Sequence, residues 1–319
     1  FKEKFSRSSS LYLTLIIGAL IILYFRTKIT FYPIKIFIYE GMGIGFISFW
    51  IINIALIISF LFDIERQIIG YTSFFIIIIL TIYSLINARY INIKNINLSS
   101  KKIKQNYKFI FISDIHLGSN SINHLKLILN KISNLDYDFL LIGGDLIDSS
   151  SFELEKLSIL NEIDKPIYFV TGNHEYYISN YKEKISSLNK FNLNILNNTN
   201  SIFEEINIIG IDDNIDNNKK NNFVNNFLDN SKLNLLLIHK PSLWNQVKDK
   251  IDLMFSGHTH NGQIFPFNFF VRLQFKQKYG LYSSDKSNLY VTSGAACWGP
   301  RMRLGTNNEI IYINLLNKD

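Results

Sequence analysis

Cysteine is nearly absent from this chain of 319 residues. There is one, Cys297, so no intrachain disulfide can form, and a lone cysteine reads best as a small buried apolar residue. Charge is scarce too: Asp, Glu, Lys and Arg make up 18% of the residues against 47% hydrophobic ones, which directs attention to membrane segments. Three stretches, residues 11–25, 42–62 and 68–86, carry no charge at all. The second and third are long enough to cross about 30 Å of hydrocarbon as helices, and the first is marginal. Lys2, Lys4 and Arg7 precede the first stretch as they would in a signal peptide, but no small-residue cleavage site follows, so a spanning helix is expected. The sequence opens on Phe1, not Met, which makes three a minimum count. With no ionisable group inside these segments, an anchor is favoured over a transporter or channel. The net charge of +7 comes from basic residues spread along the chain, which suits an anionic membrane surface better than nucleic acid.

Residues 1–86 are therefore expected as the anchor, 87–106 as a polar linker and 107–319 as one globular domain. In the last part, short runs of Ile, Val, Phe and Tyr alternate with polar or helix-periodic stretches, as in sheets covered by helices. Strands are expected over 109–112, 139–142, 167–170, 206–211, 235–238, 253–255, 289–292 and 310–313, and helices over 123–134, 152–162 and 181–190. The Asn-rich stretches 189–200 and 214–230 read as loops, with room for one short helix.

Five of these strands run directly into polar loops: SDIHLG, GGDLID, TGNHE, HKP and SGHTHNGQ. Loops at the carboxyl ends of neighbouring strands converge along one sheet edge, where ligands bind. Taken singly, an Asp after a strand is a turn former and a lone His a satisfied surface residue. Five of the six histidines nevertheless fall in these loops, and a mixed carboxylate, imidazole and amide set suits two divalent ions, with Mn, Fe or Zn fitting better than Ca.

The order D-x-H, G-D-x-x-D, G-N-H-E, a lone H after a strand and G-H-x-H, from Asp114 to His260, resembles the calcineurin-like metallophosphoesterase signature. The resemblance implies an α/β sandwich of two sheets flanked by helices, here preceded by the transmembrane helices. It implies one metal held by Asp114, His116, Asp145 and His260 and a second by Asp145, Asn173, His239 and His258, with Asp145 as the bridge. Gly143 and Gly144 would permit the close backbone approach that a bridge demands. It further implies that His174 stands near the leaving group as acid or charge stabiliser, with Asp148 holding its ring, and that a hydroxide activated by both cations attacks phosphorus in line. Ser149 stands where the protein phosphatases of the family place arginine, which argues against a phosphoprotein substrate. Asn261 replaces the glycine usual in membrane-linked members, and Asn tolerates left-handed backbone.

The tail VTSGAACWGPRMRLGTNNEI resembles the closing segment of bacterial membrane-linked members, a group that includes phosphodiesterases of lipid-linked substrates. Its arginines, Arg301 and Arg303, are candidates for clamping a phosphate, with a structural ion pair as the alternative. Phe265, Phe267, Phe269, Phe270 and Phe275, set among Arg272, Lys276 and Lys278 just after His260, suggest an interfacial segment, a greasy wall for an acyl or prenyl chain beside the metals. The expected function is hydrolysis of a phosphate ester, with a lipid-linked substrate and membrane lipid as partners. A nuclease or nucleotide phosphodiesterase and a catalytically silent scaffold are the alternatives, and no protein partner is inferred. Lys and Arg favour the linker after Ile86 over the loop between the second and third apolar segments, which holds only Arg66; the catalytic domain is thus expected in the cytoplasm.

Overall fold

The computed structural model describes residues 32–318 and divides into two units, one ending at Ile77 and the other starting at Ile78. The first apolar segment, residues 11–25, lies outside the described residues. Helix α1 spans Tyr32–Leu61 and α2 spans Arg66–Asn87. Both are long and apolar enough to cross a membrane, and their apolar side chains are exposed on most sides, as lipid-facing helices require.

The second unit contains two six-stranded sheets. The strands are β1 (Ile91–Ser100), β2 (Tyr107–Ile112), β3 (Phe139–Ile142), β4 (Ile167–Phe169), β5 (Asn194–Ile195), β6 (Thr199–Phe203), β7 (Ile206–Ile211), β8 (Leu233–Ile238), β9 (Leu253–Ser256), β10 (Gly280–Ser283), β11 (Asn288–Val291) and β12 (Asn308–Asn317). One sheet has the order β1-β12-β2-β3-β4-β5 and the other β10-β11-β9-β8-β7-β6. Strands β2 to β5 are mutually parallel, as are β7, β8, β9 and β11, so in each sheet the carboxyl ends of the parallel strands share one edge. The helices are α3 (Ile122–Ile132), α4 (His174–Tyr177), α5 (Tyr181–Ser187), α6 (Asn217–Phe227), α7 (Trp244–Val247) and α8 (Phe267–Gln274), with a 3-10 helix at Leu154–Glu162.

The period of two along each strand builds the layers. On β2, Phe109 and Phe111 point between the sheets and meet Phe139, Leu141 and Phe255, while Ile110 and Ile112 point outward to Leu125, Ile128 and Leu160. The second sheet behaves alike: Leu235 and Leu237 face the inter-sheet core, and Leu236 and Ile238 face Val224 of α6 and Trp244 of α7. The rings of Phe109 and Phe139 stack at 4.7 Å, with Phe255 edge-on to Phe109 at 5.5 Å. This two-sheet sandwich flanked by helices is the fold class expected from the sequence.

Several elements add to or depart from the expectation. Residues 91–100, expected within a linker, form β1, paired in parallel with β12 along its whole length. Ile91, Ile96 and Leu98 are buried, but Asn and Lys stand between them and Ile93 is exposed, as on an edge strand guarded against pairing with other chains. The Asn-rich stretch 214–230 holds a helix of eleven residues, α6, whose N-cap Asp216 accepts a hydrogen bond from Lys219 N at 2.9 Å. The apolar stretch after His260 contains helix α8, and the Asn-rich stretch 189–200 contributes β5 and the start of β6.

Candidate metal centre

The two sheets bring their polar loops to one place. Asp114 and His116 follow β2, Asp145 and Asp148 follow β3, Asn173 and His174 follow β4, His239 follows β8, and His258 and His260 follow β9. Three groups of converging ligand atoms result: Asp114, His116 and His260; His116, Asp145 and His174; and Asp145, His239 and His258. Asp145 belongs to two of them. Its Oδ2 lies 3.1 Å from His239 Nε2 and 3.7 Å from His116 Nε2.

The backbone is held against its own preference here. Asp114, His116, Asp145, His258 and His260 all have φ between 47 and 73°, in the left-handed region that side chains other than glycine seldom adopt. Such residues cost about 1–3 kcal/mol each and persist only where surrounding contacts over-determine them. Those contacts are present. His116 N donates to Asp145 O at 2.9 Å, His174 N to Asp145 Oδ1 at 2.9 Å, His258 N to Asp114 Oδ1 at 3.0 Å and Gly257 N to His239 O at 2.9 Å. Asn261 also adopts φ 52°, so the residue standing in place of glycine keeps glycine's geometry. Close approach requires glycine at two points: a Cβ on Gly144 would lie 2.7 Å from Gly172 N, and one on Gly257 would lie 2.2 Å from Asp114 Oδ2.

The electrostatics ask for cations at the centre. Burial works to lower His239, but the Asp145 carboxylate outweighs it and raises that ring to about 10. Burial, joined by the charge of His239, drives neighbouring His258 down to about 3, and burial lowers His174 to about 4. His116 Nε2 and His260 Nε2 stand 3.1 Å apart, and His258 Nδ1 stands 3.2 Å from His239 Nε2, pairs of ring nitrogens close enough to share a proton or to serve as neighbouring donors to one ion. His239 Nδ1 lies 2.8 Å from Gly143 O; since a carbonyl only accepts, this nitrogen carries a proton, and Nε2, whose own proton faces Asp145, is the nitrogen that a metal would take in exchange for that proton. Asn173 Oδ1, a good oxygen donor for a divalent ion, is buried with no hydrogen-bond donor of its own. The donor set therefore fits two divalent ions sharing Asp145.

One expected role is revised and others are filled in. Asp148 Oδ2 lies 3.5 Å from His116 Nδ1 and the carboxylate accepts from Ser119 N at 2.8 Å, so Asp148 stands beside a candidate ligand ring as well as acting by its charge on His174, the ring it was expected to hold. The His174 ring packs edge-on against Tyr177 at 5.2 Å and Trp298 at 5.4 Å. Arg303, expected as a phosphate clamp, is fully buried. Its guanidinium donates to His260 O at 2.9 Å, Ser293 O and Ala296 O at 2.7 Å and Asn308 Oδ1 at 2.8 Å, so it braces the His260 loop from behind and has no face toward substrate. Arg301 is half-buried and remains the candidate. The expected aromatic wall divides in two. Phe275 packs against His258 at 5.1 Å and lines a cleft of about 670 Å³ with Tyr177, Lys240 and His258, whereas Phe265, Phe267, Phe269 and Phe270 are exposed.

One residue with a clear task carried no expectation. Glu175, the last residue of TGNHE, is buried and accepts from Asp145 N at 3.0 Å, Ile147 N at 2.9 Å and Gly172 N at 2.7 Å. It ties the loop after β3 to the loop after β4. Its signal was a carboxylate directly beside two candidate site residues, where a turn former would suffice.

Comparison with known proteins agrees with this centre. The model of the calcineurin-like phosphoesterase family matches residues 107–262. An uncharacterized metallophosphoesterase of Campylobacter jejuni is 36% identical over 239 residues, 71% of this chain and 63% of that one. A transmembrane protein with metallophosphoesterase domain of Danio rerio is 29% identical over 264 residues, 74% of this chain and 60% of that one. The chain thus spans a little under two thirds of the length of these two relatives. The Bacillus subtilis protein YpbG is 30% identical over 249 residues, 73% of this chain and 90% of that one. With the five polar loops matched in order and folded into one centre, the chain belongs to the calcineurin-like phosphoesterase family.

Proposed function

We propose that this protein hydrolyses a phosphate ester with two divalent cations, the first held by Asp114, His116, Asp145 and His260 and the second by Asp145, Asn173, His239 and His258. The observation that carries the reading is the position of Asp145, shared between two clusters of ligand atoms. When bound, such ions polarise phosphoryl oxygens and supply a nucleophile usable at neutral pH. The chain's own residues do the rest. Glu175 accepts from the Asp145 backbone N–H and so holds its loop, and the His174 N–H fixes one carboxylate oxygen of Asp145. His174, partly open to solvent and 4.0 Å from Asp145, offers an N–H to the departing oxygen. Tyr177 and Trp298 keep its ring from turning away.

The finer reading is a membrane-anchored enzyme with its catalytic unit in the cytoplasm and a lipid-linked phosphate ester as substrate. It is supported by the apolar helices α1 and α2, by the bias of Lys and Arg toward the segment after Ile86, and by Phe275 beside His258, where a chain attached to the phosphate can lie. The test is to purify the full chain in nanodiscs, load it with Mn, and measure metal content with turnover of an aryl phosphodiester. About two ions per chain and turnover are expected; a folded protein that takes up no metal defeats the proposal. Phe275→Ala then separates substrates: it should slow a lipid-linked diester more than the small aryl one, and equal effects on both would remove the lipid reading.

A further inference from the structure

Helix α8 leaves its apolar side in the open. Phe265, just ahead of it, and Phe269 and Leu273 within it recur every four residues, hence along one side, and are 48, 59 and 85% exposed. The rings of Phe265 and Phe269 meet edge-on at 5.6 Å, and Phe267 and Phe270 lie alongside, also exposed, with rings 6.1 Å apart. A patch of this kind on a water-facing surface marks an interaction site. The segment 261–284 contains no acidic residue, whereas Arg272, Lys276 and Lys278 give it three positive charges.

The root of α8 is tied to the end of α2, within the unit that starts at Ile78. Phe265 N donates to Leu304 O at 2.9 Å. The preceding residue, Arg303, donates from its N to Ser84 O at 3.0 Å, and Asn87 Nδ2 donates back to Arg303 O at 3.1 Å. If α2 spans a bilayer, its end at Asn87 lies at the lipid surface, and α8 starts two hydrogen-bonded steps away.

We propose that α8 is a second point of membrane contact: it lies in the plane of an anionic bilayer, its aromatic side in the headgroup boundary and Arg272, Lys276 and Lys278 on acidic lipid headgroups. A second copy of the chain is the poorer occupant, because a twofold contact through this patch would bring the three cations of each copy together. The proposal deepens the membrane reading above and rests on it, but requires neither metal nor turnover. Docked in this way, α8 would present Gln274 and Phe275, which line the cleft at His258, to lipid entering from the bilayer.

The experiment uses the full chain in a Cys297→Ala background, with a nitroxide attached through Leu273→Cys, Phe269→Cys or, as a control on exposed α3, Lys126→Cys, reconstituted in vesicles with and without phosphatidylglycerol. Collision with oxygen and with a water-soluble nickel chelate reads depth, independently of catalysis. Labels at 273 and 269 should lie about 5–10 Å below the headgroups in phosphatidylglycerol vesicles, with the control in water. Reversal of Arg272, Lys276 and Lys278 to Glu should return both to water. Aqueous labels at both positions in phosphatidylglycerol vesicles would overturn the proposal, as would spin–spin broadening that reports a copy-to-copy contact. Insertion untouched by charge reversal would overturn the choice of anionic lipid. A chain that docks but does not hydrolyse leaves this inference standing and removes only the catalytic one.

Discussion

Asp145 Oδ2 lies 3.1 Å from His239 Nε2, and the other oxygen of the same carboxylate accepts from His174 N at 2.9 Å. One side chain thus links the two strand-end clusters while holding the residue assigned to the leaving group. Asp145→Asn keeps the shape but removes the anion, and should release metal. His174→Ala should keep metal and lower turnover about 100-fold or more. Metal analysis alongside aryl phosphodiester kinetics separates the two; loss of metal from His174→Ala would show that its role is not distinct from that of the ligands.

Glu175→Gln tests the brace between the loops after β3 and β4. A carboxylate accepts from all three backbone N–H groups, whereas an amide must turn its NH₂ toward at least one of them. Stability should fall by about 1–3 kcal/mol, with metal affinity falling too, since Asp145 N is one of the three donors. Thermal unfolding with and without Mn reads both, and an unchanged midpoint in each condition would count against the brace.

Arg303→Lys and Arg301→Lys should behave differently. Lysine cannot reach four acceptors in the plane of a guanidinium, so the Arg303 change should lower stability and loosen the His260 loop, weakening metal binding with little selective effect on KM. The Arg301 change, if that side chain contacts substrate, should raise KM and leave the unfolding midpoint alone. The reverse pattern would restore Arg303 as the clamp.

Chelation should destabilise the second unit. Ions that bind the folded centre and not the unfolded chain add stability in proportion to RT ln(1 + [L]/Kd), so EDTA should lower the midpoint and added Mn should restore it. A midpoint indifferent to both would argue that the buried carboxylates and imidazoles satisfy one another without metal.

Sidedness has its own test. In intact cells the catalytic unit should resist added protease and become sensitive only after permeabilisation, and cleavage in intact cells would reverse the assigned orientation.

Much of this centre was legible in the sequence because strand periodicity and polar loops coincide: Phe109 to Ile112 alternates inward and outward and then gives way to Asp114 and His116. What escaped was set by three-dimensional partners. Nothing local tells Asp148 to approach His116, and nothing local sends Arg303 into the core, where four acceptors from distant or neighbouring backbone and side chains await it. Arginine near a phosphate site invites a substrate role, and only burial excludes it. Strand β1 was hidden because INIKNINLSS spaces its buried residues irregularly among Asn and Lys, and α6 because its composition, mostly Asn and Lys, is poor in the apolar residues that mark a helix face.

The pairing of β1 with β12 bears on how a soluble version of this protein could be made. A fragment begun at Tyr107, the boundary suggested by composition, would strip β12 of a partner along ten residues and expose a long, largely apolar strand edge, a template for aggregation. It would also discard Ser84, Asn87 and Ala88, whose groups bond Arg303, Thr306 and Asn308 behind the His260 loop. The chain is thus not separable at residue 107: the last turn of α2, a helix long and apolar enough to cross a membrane, already belongs to the scaffold of the candidate metal centre, and a truncation that spares it should stay folded where one that removes it precipitates.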